Sequence, residues 1–137
     1  MSPLNVAVTA ALVFFASPVA AKGAGACGAG LKPAVTAELF FGRDIDHRAT
    51  VSEEDWQRFL NVEVTPRFPD GLTVYDVYGQ YRGSDGVPVR EPTKAVLLVL
   101  SGERGERAKV KAIREAYKGR FRQQSVLLVQ RSACVGF

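Results

Sequence analysis

Ala95-Val96-Leu97-Leu98-Val99-Leu100 is the stretch from which the fold follows. Its unbroken apolar run leaves neither side of a strand polar, which places the segment in the middle of a sheet. Immediately upstream, Gly83-Ser84-Asp85-Gly86 is a hairpin connection. Before it, Leu72 to Tyr78 is a β-branched and aromatic run between the Asp70-Gly71 turn signal and Gly79. These two strands pair antiparallel. Downstream, Val110, Ile113, Tyr117 and Phe121 share one face of a helix that starts between Glu103 and Glu106, while Lys109, Lys111, Arg114 and Lys118 cover the rest. A last strand begins at Ser125 and runs through Val129 towards Cys134.

The first half of the chain repeats this plan. From Ala34 to Phe41 the sequence alternates, with Val35, Ala37, Leu39 and Phe41 on one side and Thr36, Glu38 and Phe40 on the other. A polar connection, Arg43 to Val51, leads to Ser52, an N-cap hydroxyl followed by Glu53, Glu54 and Asp55 at the positive end of a helix dipole. Trp56, Phe59, Leu60 and Val64 fall on one face, and Pro66 and Pro69 stop the helix. Strand, helix, strand, strand, helix, strand is the ferredoxin-like βαββαβ order. It predicts an α+β domain: a four-stranded antiparallel sheet, first and third strands central, with two helices on one face.

The chain has 137 residues, 47% hydrophobic and 23% charged, with 18 Lys+Arg against 14 Asp+Glu. That is one domain's worth of material and excludes a multidomain enzyme. Residues 1–21 carry no charged side chain, and Leu4 to Ala16 is too short to span a bilayer comfortably. With small residues at Val19-Ala20-Ala21, the segment reads as a signal peptide cleaved after Ala21. A glycine-rich linker, 22–33, then precedes a single domain, 34–137, and no transmembrane segment is expected after processing. Export to the periplasm or beyond follows. A lipid anchor at Cys27, from a loose lipobox at Ala24-Gly25-Ala26-Cys27, ranks second.

In an exported chain Cys27 and Cys134 mature where thiols oxidise. Antiparallel pairing of the first and last strands brings them together, so one disulfide is expected.

Several further segments carry a resemblance. These are Leu39-Phe40-Phe41-Gly42, Glu54-Asp55-Trp56 with Phe59, Thr65-Pro66-Arg67-Phe68-Pro69-Asp70-Gly71-Leu72-Thr73-Val74, Gly79-Gln80-Tyr81-Arg82, Glu91 with Lys94, and Cys134-Val135-Gly136-Phe137. Together they resemble domain of unknown function family 3574, uncharacterised exported bacterial proteins. The resemblance covers nearly all of the chain after the leader and implies a small exported domain, with no activity attached.

Catalytic patterns are sparse. A Ser-His-Asp or Cys-His site needs a histidine beside a nucleophile, and the single His47 lies in a loop. Asp44, Asp46 and His47 lack a second ligand cluster, so no metal site is expected, and no cofactor motif is present. The central strand at Ala95 to Leu100 offers no aromatic platform for bases, which argues against nucleic acid. The net charge of +4 favours an anionic ligand or envelope component, although the basic residues are dispersed. The candidate ligand-binding residues are Asp76, Gln80, Arg82, Glu91 and Lys94, with Arg67 entering from the preceding turn. Cross-strand ion pairs among the same residues are the simpler account of them. Two functions therefore compete: a periplasmic or secreted binding or interaction module, and a small envelope enzyme of the dimeric α+β barrel type with an acid/base site on the second strand and hairpin. The uncovered sheet face, which includes Phe40, predicts a homodimer.

Overall fold

The computed structural model describes residues 27–45, 49–83 and 85–137. The expected leader, the start of the linker, and Asp46 and His47 lie outside the described residues. The elements are β1 (Lys32–Gly42), β2 (Asp44–Ile45), β3 (Ala49–Thr50), α1 (Glu53–Phe59), a π-helical turn (Leu60–Val64), β4 (Thr73–Arg82), β5 (Pro88–Leu100), α2 (Glu106–Phe121) and β6 (Leu127–Val135). The main sheet has the order β4-β5-β1-β6, antiparallel throughout. The ferredoxin-like arrangement is thus present, with β1 and β5 central.

Alternation along β1 buries Ala37, Leu39 and Phe41 completely and leaves Thr36, Glu38 and Phe40 on the opposite, uncovered face. Register carries the division across the sheet, with Leu39 opposite Val96 and Ala37 opposite Leu98 beneath the helices. The core there is largely aromatic: Tyr117 stacks edge-on against Phe41 at 4.8 Å and Phe59 at 5.0 Å, and Trp56 lies 5.3 Å from Phe41. All four α2 residues expected to face inward, Val110, Ile113, Tyr117 and Phe121, are buried.

Several boundaries differ from the sequence expectation, each for a local reason. Arg43 to Val51 is not a plain loop. Arg43 donates from Nε and Nη2 to the Val51 carbonyl at 2.8 and 2.5 Å, which closes the β2–β3 ladder. After α1 the last turn widens, with the Thr65 amide reaching back to Leu60 O at 2.9 Å. A wider turn advances each residue through a smaller angle, and Val64 thereby lines up with Trp56 and is buried. β5 begins at Pro88, well before the apolar run. Its Pro92 lies one residue past the point where β1 pairing ends at Thr93, so no ladder bond to β1 is lost there.

Cys27 and Cys134 form a disulfide with Cα atoms 5.6 Å apart. Among the described residues no helix is long and apolar enough to cross a membrane.

Candidate functional site

The six candidate residues separate into different places. Asp76 and Lys94 face each other in the β4–β5 register, on the helix side, and their side chains meet at 2.6 Å. Glu53, in the first turn of α1, completes the cluster at 2.9 Å from the Lys94 ammonium. Lys94 is nearly enclosed while both carboxylates are more than half exposed. Burial works against the charged lysine, but the hydrogen bonds to Asp76 and Glu53 outweigh it and hold its pKa above the ordinary value. The pKa of Glu53 is lowered, first by the Gln57 amide and then by Lys94.

Gln80 is on the same face as Asp76 but accepts from Arg90 Nε at 2.7 Å. Arg82 is exposed at the hairpin end of β4. Arg67 sits just beyond the π turn, donating to the carbonyl and carboxylate of Glu63 at 2.6 and 2.8 Å. Glu91 points to the other side of the sheet.

On that other side lies a recess of about 670 Å³, bounded by β1, β4, β5 and the α2–β6 loop. Phe40, Tyr81 and Leu127 give it apolar walls, and Glu91 and Thr93 give it polar ones. Two glycines let side chains of β5 lie across the neighbouring strands. A Cβ on Gly42 would lie 2.5 Å from the Glu91 carboxylate, and one on Gly79 would lie 3.0 Å from Thr93 Oγ1. Glu91 accepts from the Asp44 amide at 3.0 Å, Gln123 donates to Asp44 O at 2.5 Å, and the Tyr117 hydroxyl donates to Gly42 O at 2.8 Å. The end of β1 is therefore held on several sides. Burial, followed by the negative charges of Glu91 and Asp44, pushes the Tyr81 phenol above its ordinary pKa. A second hollow of about 560 Å³ lies at the far end of the same face, beside Lys32, Leu97, Val99 and Phe137.

Of the residues lining the recess, Glu91 and Gln80 are among the candidates read from the sequence. The signal that marks the rest is Gly79. A glycine inside an aromatic-rich strand signals a close approach, whereas read from the sequence it ends the strand; in fact it lies within β4. Among the described residues no group of three His, Cys, Asp or Glu side chains is placed to hold a metal ion.

Residues 36–137 match the family described as "Protein of unknown function (DUF3574)", and the chain belongs to that family. No curated protein matches. Solved structures of similar fold include a phage SAM lyase in complex with S-methyl-5'-thioadenosine, at 18% identity and a TM-score of 0.59, covering 82% of this chain and 95% of that one. The same description without ligand, a phage SAM lyase in its apo state, aligns at 18% identity and a TM-score of 0.56, over 84% of this chain and 97% of that one. At this identity the likeness is one of fold.

Proposed function

We propose that the protein is an exported binding module, working in the periplasm or outside the cell, that takes a small organic molecule into the recess on the open sheet face. The ligand carries a flat or apolar part for Phe40, Tyr81 and Leu127 and a hydrogen-bond donor, such as an amine or exocyclic amide, for Glu91. The observation that carries this reading is a recess of about 670 Å³, a size suited to a small ligand, with Phe40, Tyr81 and Leu127 on its walls and the Glu91 carboxylate laid across Gly42. Glu91 and Asp44, which add to burial in raising the Tyr81 pKa, favour a donor or cation over an anion there. Export is supported by the disulfide and the apolar leader.

A small envelope enzyme remains the second reading, favoured by one observation, the shared fold of the phage lyase. Against an acid/base site on the second strand stands the Lys94 cluster, where Asp76 and Glu53 are ion-paired. The phage lyase complex with S-methyl-5'-thioadenosine makes nucleosides the first ligands to try, followed by polyamines.

The test is thermal unfolding of the disulfide-bonded protein against a panel of nucleosides and polyamines, with Glu91→Gln and Phe40→Ala alongside. Gln keeps an oxygen for the Asp44 amide and removes the charge. A member that raises the melting temperature by several degrees, with the rise lost in both variants, is the expected result. Equal rises in wild type and variants would remove the recess as the site. Mass analysis of the bound molecule after incubation separates the readings, since a chemically altered ligand favours the enzyme.

A further inference from the structure

We infer that the open sheet face is the contact surface of a two-fold dimer whose copies lie head to tail, each copy's Phe137 end covering the other's recess. Both helices pack on one side of the sheet, and the opposite side carries Phe40, Val77, Leu97, Val99, Leu127 and Val129, none fully buried. On the two central strands such residues belong under a cover. Four strands about 4.8 Å apart, with about nine residues each at 3.4 Å, make a face of roughly 600 Å² before side-chain relief is added. Relief brings it to the order of 800 Å² per partner that a stable interface needs.

Charge selects the orientation. Among the described residues the charges lining the recess end are Asp44, Glu91 and Arg122, a negative balance. The far end carries Lys32 and Asp70, which cancel, and of these Lys32 stands on β1 on the open face. Near the middle, Glu38 and Arg131 already pair at 3.5 Å and enter the interface together. A two-fold axis lying across the strands sets each copy's Lys32 over the other's Glu91, whereas an axis along the strands opposes like ends. The head-to-tail choice also lays Phe137, fully exposed in the single chain, over the mouth formed by Phe40, Tyr81 and Leu127. An open recess becomes an enclosed one with a wall from the second copy.

No ligand enters this argument, so failure of the dimer and failure of the binding reading are read from separate experiments. Sedimentation equilibrium of the disulfide-bonded protein at tens of micromolar should give twice the monomer mass. Zero-length carbodiimide coupling followed by peptide mass analysis should join Lys32 to Glu91 in the dimer alone. Within one chain these residues sit at opposite ends of the sheet, about twelve residues and 40 Å apart, beyond the reach of such a link. Phe40→Asp should raise the dissociation constant at least about thirtyfold with the circular dichroism spectrum retained. If that variant does not fold, Leu127→Asp on the edge strand, 59% exposed, makes the same test. A monomer or trimer, a dimer without the Lys32–Glu91 link, or a dimer that survives these substitutions overturns the proposal.

Discussion

Lys94 illustrates how a single side chain can be read in two ways until its neighbours are placed. A buried ammonium is costly by itself, and its two carboxylates offset that cost from positions that keep much of their hydration. The consequence is an asymmetry. Lys94→Met removes the charge and leaves Asp76 and Glu53 in water, so the loss should stay within about 1 kcal/mol. Glu53→Gln combined with Asp76→Asn leaves the ammonium enclosed and without its anionic partners, and should cost about 1–3 kcal/mol. Urea unfolding at neutral pH measures both; a larger loss in Lys94→Met than in the double variant would show that the cluster does something other than neutralise the lysine. Because the lysine pKa is raised in the folded state, the stability it lends is complete below its ordinary value of 10.5 and fades only as the pH climbs through the raised one.

Between elements, Glu106 anchors the start of α2 by a different route from the Ser52 cap of α1. Ser52 Oγ accepts from the Asp55 amide at 3.0 Å, the cap its position in the sequence predicts. At α2 the cap residue is Gly105, which has no side chain to offer, and Glu106 in the first turn instead accepts from Ser101 N, Ser101 Oγ and Gly102 N at 2.9–3.0 Å. It thereby ties the end of β5 to the start of the helix. Burial opposes its ionisation, yet these hydrogen bonds outweigh burial and hold its pKa below 4.5. A depressed carboxylate lends stability above its unfolded pKa and loses it as the pH falls through the folded value. Glu106→Gln should therefore cost about 1–2 kcal/mol at pH 7, and the gap between variant and wild type should close in acid. Urea midpoints at neutral and acid pH check this, and a gap that does not depend on pH would refute the ionised role. The elements themselves were legible because alternation and 3.6-residue spacing are local, as in β1 and α2. The recess was not, because Gly42 and Gly79 act through side chains they lack, and Glu91, Phe40 and Leu127 meet only once three strands are in register. The π turn was hidden for a related reason, since Val64 fits an ordinary helix face in sequence and reaches the core by a change in backbone winding.

At the scale of the whole molecule, the disulfide makes a nearly closed loop of the domain. Cys134 lies opposite Pro33 in the β1–β6 register, and Cys27 precedes the turn closed by Leu31 N to Gly28 O at 3.1 Å, so the bond fastens the segment before β1 to the edge strand β6. Its partners are 107 positions apart, and cross-linking a loop of that size removes conformational freedom mainly from the unfolded chain. The chain-entropy relation gives about 4–5 kcal/mol, an upper figure because residual structure in the unfolded state reduces it. Replacing both cysteines by serine should lower stability by about 2–4 kcal/mol, read as a lower urea midpoint, while the folded spectrum and the Lys94 and Glu106 contacts persist. The denaturant slope should rise slightly, since an uncross-linked chain exposes more surface on unfolding. Adding reductant to the wild type should reproduce the shift. A loss below about 1 kcal/mol in both experiments would mean that the β1–β6 ladder, rather than the covalent bond, holds this edge of the sheet closed.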